Sequence, residues 1–250
     1  MYLHEFKKVA LTTRAQALLD ALATRVVIAD GAMGTMLQDQ KPTLADFEGH
    51  EGCNEVLNAT RPDIVSSVHD AYFEAGVDCV ETNTFGANWS NLSDYGIEDQ
   101  IEELARLGAE IARGSADSFT AKDGKPRWVL GSMGPGTKLP TLGHTTYDNL
   151  KQTFALQAKG LIAGGADAFM VETSQDLLQT KAAINACRKA RGEGQLAEPD
   201  QGPGQGHHPC RRGDIAAAQQ TVGHHRGTSG QEHDHQRDIH RRGGKAHPDG

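Results

Sequence analysis

Gly76-Val77-Asp78-Cys79-Val80-Glu81-Thr82 and Gly165-Ala166-Asp167-Ala168-Phe169-Met170-Val171-Glu172-Thr173 are two versions of one junction. In each, a glycine ends a helix, an aspartate turns the chain, and an apolar strand delivers Glu-Thr at its C-terminal end. Glycine suits the left-handed position that closes a helix. A short apolar run bounded by turn residues, set between helical patterns, reads as a parallel strand covered on both faces. The same grammar used twice predicts repeated βα units.

Working outward, Pro62 to Gly76 predicts a helix, with Pro62 in the first turn and Gly76 at the cap. Its apolar stripe is Ile64, Val65, Val68, Ala71, Tyr72 and Ala75. After the strand Val77 to Thr82, a helix is expected over about 98–118, with Leu104, Leu107 and Ile111. Trp128-Val129-Leu130 is a strand ending in Gly131-Ser132-Met133-Gly134-Pro135-Gly136. Thr146 to Ala163 is a helix with Leu150, Phe154, Gln157 and Leu161 on one face. Ala168 to Thr173 is a strand, and Ser174 to Ala190 is a helix capped by Ser174, with Leu177, Ile184 and Cys187 inward. Upstream, Val26-Val27-Ile28-Ala29 is a first β-branched strand ending at Asp30. The expected fold is α/β, of the (β/α)8 TIM-barrel type, with four βα units where a closed barrel needs eight. Residues 1–23 form an N-terminal helical segment and 24–191 the half barrel. Residues 192–250 read as a disordered tail.

The chain has 250 residues, 37% hydrophobic, with a formal net charge of -8. An acidic balance argues against a nucleic-acid partner, which would draw a basic excess. No apolar run approaches the 18 or so residues that span a bilayer, so no membrane is expected. Met1 to Arg25 lacks a continuous apolar core, so no secretory signal is expected there. Cys53, Cys79, Cys187 and Cys210 are scattered, as free thiols in a reducing compartment are, and a cytoplasmic location is expected.

In βα barrels the site lies at the C-terminal ends of the strands. The residues there are Asp30, Glu81 with Asn83, the 131–136 loop carrying Ser132, and Glu172. Carboxylates on adjacent strand ends make a pocket for an ammonium group. The turn Asp30-Gly31-Ala32-Met33-Gly34 adds successive backbone N–H groups at small residues, suited to a carboxylate. Together they describe an amino-acid site. In the alternative reading, Glu81 and Glu172 cap helices or pair with Lys or Arg on neighbouring strands.

The run Asp30-Gly31-Ala32-Met33-Gly34-Thr35-Met36-Leu37-Gln38 resembles the opening of the homocysteine S-methyltransferase domain. The resemblance continues through Gly52-Cys53-Asn54-Glu55, Glu81-Thr82-Asn83-Thr84-Phe85-Gly86-Ala87-Asn88, Gly131 to Gly136 and Val171-Glu172-Thr173. It covers about 24–190, in the version that opens the cobalamin-dependent methionine synthases. The resemblance implies homocysteine as substrate and zinc as the cofactor that ionises its thiol. Methylcobalamin is then the methyl donor, carried with folate by downstream binding modules. It also implies that the backbone of Ala32 and Met33 receives the substrate carboxylate, while Asp30 and Glu172 orient the amino group. Methyl transfer from another donor such as S-methylmethionine, or an inactive truncated fragment, are the alternatives.

One departure stands out. The family's zinc cysteines lie in an Asn-Cys pair and a Cys-Cys pair in the second half of the barrel, and neither occurs here. No residue is therefore expected to be a metal ligand, and no catalytic residue is assigned. From Gly192 onward there is no Phe, Tyr or Trp, and most of the histidines crowd there in Gly-, Gln- and Arg-rich surroundings. Such composition cannot offset its ordering entropy. It is also what out-of-frame translation of a GC-rich gene yields; a frameshift near Arg191 and a genuine extension are the two readings.

Overall fold

The computed structural model describes residues 10–192. The readings for the tail, its frameshift origin and Cys210 lie outside the described residues. Eight α-helices occur among those residues: α1 (Thr13–Thr24), α2 (Met33–Asp39), α3 (Leu57–Thr60), α4 (Pro62–Ala75), α5 (Trp89–Tyr95), α6 (Ile101–Asp123), α7 (Tyr147–Ala163) and α8 (Leu177–Ala190). The strands β1 (Cys79–Glu81), β2 (Trp128–Met133) and β3 (Ala168–Val171) form one parallel sheet in sequential order.

The capping logic holds at α4: Pro62 stands in its first turn and Gly76 takes φ +99° as the left-handed cap. Its buried stripe differs in part from the expected one. Ile64, Val65 and Val68 are buried, but Ala71 and Ala75 are exposed, and His69 and Phe73 take the inner positions further along. On α7, Leu150, Phe154, Gln157 and Leu161 all face inward as the spacing required, below a Thr146 cap.

Alternation along the strands sorts the core into two layers, since successive side chains leave a strand on opposite faces. Val80 and Val129 pack against Phe73, Ala112 and Ala116 of α4 and α6. Met133 packs against Phe154 and Leu161 of α7 and Ala183 and Cys187 of α8. On the opposite face, Cys79, Trp128 and Leu130 meet Leu18 of α1, with Ala168 and Met170 beside them. α1 thus covers the lower part of the inner face, tied down by the Trp128 indole N–H donating to Arg14 O at 3.1 Å.

Three expectations need correction. Val26 to Ala29 does not form a full strand: Ala29 alone makes a parallel bridge, to Cys79, and Val26 is 82% exposed. A strand with one neighbour and an open outer edge loses half its ladder. α8 is capped by Asp176, whose Oδ1 accepts from Leu178 N and Gln179 N at 2.8 and 3.1 Å, not by Ser174. The later start turns Leu177 outward, 84% exposed, and leaves Ile184 at the surface, while Cys187 is buried. Finally, β3 is only partly covered along its whole length, because nothing among the described residues pairs with its outer edge.

Candidate functional site

Register places the site. Glu81 is the last residue of β1, two after Cys79; Ser132 lies two after Leu130; Glu172 lies two after Met170. Period-two alternation therefore puts Glu81, Ser132 and Glu172 on the α1 side of the sheet, above the Leu130 and Met170 layer, at the C-terminal end. Asp30 joins them from beyond the Ala29 bridge: its N–H donates to Cys79 O at 3.1 Å, and its Oδ1 accepts from Glu81 N at 2.9 Å.

The Ser132 hydroxyl donates to Glu172 Oε1 at 2.5 Å, and Thr173 Oγ1 lies 3.5 Å from Oε2. Thr173 has φ +54°, a left-handed conformation that is costly for a β-branched residue, directly after the carboxylate it flanks. Asp30 Oδ2 is buried without a partner. Burial, with Glu172 nearby, pushes the Asp30 carboxyl up to about 7. Glu81 is raised too, first by burial, then by the hydrogen bond and charge of Glu172. Among the described residues no Lys or Arg pairs with Asp30, Glu81 or Glu172. The alternative of structural ion pairs thus has no counterpart. Three carboxyls held together without a cation form a site poised to take one.

The other sequence-selected residues fall nearby in different roles. Gly31 and Ala32 are exposed at the surface and Met33 and Gly34 half-buried, where the chain enters α2. Asn83 is buried; its Nδ2 donates to Asn54 O at 2.8 Å and Asn58 Oδ1 at 2.9 Å. Its amide is therefore spent on fixing the loop after β1, not on the carboxyl cluster. Residues 131–133, expected in a loop, extend β2 instead, and in the turn after it Gly134 allows close approach: its N–H donates to Phe85 O at 3.0 Å, and a Cβ there would meet that oxygen at 2.7 Å.

Residues that sequence reasoning missed support these positions. Glu55, buried, accepts from Gly86 N at 2.7 Å and holds the loop after β1. Thr82, Thr84 and Gln157 converge on Ser132. Glu55, Thr82 and Thr84 stand inside the resemblance motifs and Gln157 on the inward face of its helix, but the sequence assigned none of them a role.

The described donors do not fit zinc. Cys53, Cys79 and Cys187 are buried in separate clusters, and burial raises each thiol to about 12, far from the thiolate a metal needs. No group of three or more His, Cys, Asp or Glu able to hold a metal occurs among the described residues.

The homocysteine S-methyltransferase family profile matches residues 27–210. The chain belongs to the homocysteine S-methyltransferase family. The match continues past Ala190, where the resemblance was expected to stop. The chain is 60% identical over 173 residues to a methionine synthase of Mycobacterium leprae and 58% identical to that of Mycobacterium tuberculosis. Each alignment covers 69% of this chain and 14% of the relative. The chain thus spans about one seventh of the length of those relatives. Among solved structures, the metallated form of the homocysteine methyltransferase MmuM from Escherichia coli superposes with a TM-score of 0.58 at 23% identity. That superposition covers 72% of this chain and 64% of MmuM, and the apo form gives 0.51. At that identity the likeness establishes the fold, an α/β architecture of the same family type. No helix of the described residues is long and apolar enough to cross a membrane.

Proposed function

We propose that this chain is a homocysteine-binding module of a cytoplasmic methyl-transfer enzyme that makes methionine. The observation that carries the reading is the uncompensated carboxyl cluster of Asp30, Glu81 and Glu172 at the strand ends. An α-ammonium group supplies the missing cation. Glu172, held by Ser132, and Asp30, with its unpartnered Oδ2, orient that group. The backbone of Ala32 and Met33, with Gly31 and Gly34 allowing close approach, receives the substrate carboxylate. Asn83 acts from behind by holding the loop after β1 in place.

Methylcobalamin is the proposed donor, delivered by folate- and cobalamin-binding modules elsewhere on a longer polypeptide. The 58–60% identity to methionine synthases supports this over a donor of the S-methylmethionine type. The described residues offer no thiolate or ligand cluster for zinc, so no step of sulfur activation is assigned to them. Their proposed task is to bind and orient the amino-acid end of homocysteine.

The test is calorimetric titration of the 250-residue chain with L-homocysteine and with its desamino analogue. Saturable binding of homocysteine alone is expected, weakening below about pH 7 as Asp30 and Glu81 take up protons. Equal binding of the desamino analogue, or no saturation, would remove the reading.

A further inference from the structure

Ser132 is the next-to-last residue of β2, and β1 has already ended beside it. Its backbone is held instead by side chains. Ser132 N–H donates to Thr82 Oγ1 at 3.0 Å, and Thr84 Oγ1 donates to Ser132 O at 2.7 Å. The two threonine oxygens are 2.5 Å apart. Each hydroxyl has one proton. A carbonyl can only accept, so the Thr84 proton is committed to Ser132 O. The contact between the threonines must then run from the Thr82 hydroxyl to the Thr84 oxygen. The result is a closed ring of one direction: Ser132 N–H to Thr82, Thr82 to Thr84, Thr84 back to Ser132 C=O. Gln157 backs it from α7, its Nε2 donating to Thr84 O at 2.7 Å and lying 3.3 Å from Ser132 O. Thr84 and Gln157 are fully buried and Thr82 nearly so, which strengthens each bond.

We infer that this hydroxyl ring is a positioning device, with Thr84 its key residue, which aims the Ser132 hydroxyl at Glu172 and so holds Glu172 beside Glu81. The ladder to β3 runs on through Met133, but on the β1 side the pairing ends at Leu130, so no strand partner meets the N–H and C=O of Ser132 there. The ring replaces the missing ladder where the side chain must point accurately. The inference deepens the homocysteine reading and rests on it for the ligand, though the placement of Glu172 has a signature of its own.

Two variants test it in the 250-residue chain. Thr84→Val keeps the shape and removes the proton and acceptor; Thr84→Ser keeps the hydroxyl. Carbon-13 NMR follows the Glu81 carboxyl through its titration, and calorimetry follows L-homocysteine. In the native chain the Glu81 midpoint is raised partly by its contact with Glu172. Thr84→Val is expected to lower that midpoint by about half a unit or more, as Glu172 swings away. Homocysteine affinity should fall roughly three- to tenfold, and Thr84→Ser should restore both. A Thr84→Val chain that melts earlier but keeps the native Glu81 midpoint and affinity would overturn the inference, leaving a purely structural ring. If the native chain fails to bind homocysteine while the Glu81 midpoint still moves, the positioning stands and the homocysteine reading falls. Should Thr84→Val not fold, Thr82→Ala breaks the ring one bond earlier and is read the same way.

Discussion

Asp78 and Asp167 make the same contact at the entries to β1 and β3. Oδ2 of Asp78 accepts from Ile28 N at 2.9 Å, and Oδ2 of Asp167 accepts from Val129 N at 2.9 Å. Each aspartate leads into a strand and bonds the backbone of the preceding one, and each is paired with arginine. The repeated Gly-X-Asp junction is thus a register clamp, and its aspartate is selected for reach as well as for turning the chain.

The two clamps differ in burial, and that sets their cost. The Asp167 side chain is fully buried between Arg14 and Arg113, and Arg113 is itself only 11% exposed. Asp167→Ala leaves Arg113 with only the exposed Asp117 and the Arg127 carbonyl, and is expected to destabilise by about 3 kcal/mol. Asp78 is partly exposed and its partner Arg25 more so. Asp78→Ala should cost only about 1 kcal/mol. Urea denaturation midpoints decide this; equal losses would show that burial is not what separates the clamps.

Acidification acts on Asp30 in an unusual sense. Its carboxyl, ordinarily ionised above pH 4, is raised to about 7 in the fold by burial. A raised folded value means that its contribution to stability is full below about pH 4 and is lost as the pH climbs through 7. Asp30→Asn keeps the acceptor for Glu81 N and removes the charge. It should be more stable than the native chain at pH 8, by a few degrees in Tm, and no more stable at pH 4. Homocysteine affinity should drop at pH 8 in the same variant. Melting curves at the two pH values check the first claim, and a stability gain independent of pH would contradict it.

His69 works in the opposite direction. It is fully buried on α4, neither ring nitrogen has a partner, and burial lowers it to about 4. The unfolded chain takes up this proton near pH 6.5, so stability is full above that value and is lost as the pH falls toward 4. The loss is on the order of 3 kcal/mol. His69→Leu should abolish this loss and also remove two unpaired buried polar atoms. Denaturation at pH 7.5 and 4.5 should therefore show a larger gain for His69→Leu at the lower pH. A variant that keeps the native acid sensitivity would show that His69 is not its source.

The legible parts of this fold are those set by local signals. Pro62 and Gly76 bound α4, Thr146 caps α7, and the Gly-X-Asp junctions announce β1 and β3. What stayed hidden depends on partners distant in sequence. Val26 to Ala29 has strand composition, but composition cannot reveal that no described residue pairs with its outer edge. Ser174 is a good cap residue, yet the left-handed turn at Thr173 and the bonds that Asp176 accepts from Thr141 move the helix start on to Leu177. At the site, Asp30, Ser132 and Glu172 could be named from strand ends alone. The engagement of Asn83 by Asn58 and the ring through Thr82 and Thr84 arise from tertiary approach between loops and helices.

The edges that no described residue pairs lead to the last expectation. The partial strand at one end of the sheet exposes Val26 and Ile28, at 82% and 56%, and β3 at the other end is half-covered throughout. Beside β3 runs a groove of about 570 Å³ lined by Leu11, Leu19, Ile162 and Phe169. Open edges with apolar side chains template pairing with other chains. The 250-residue chain should therefore self-associate, its weight-average mass by light scattering rising with concentration. Val26→Lys with Ile28→Lys places charge on one edge at exposed positions and should reduce that rise without lowering Tm, because neither side chain is buried. A chain that stays monomeric at every concentration and melts sharply and reversibly would show that these edges are protected after all.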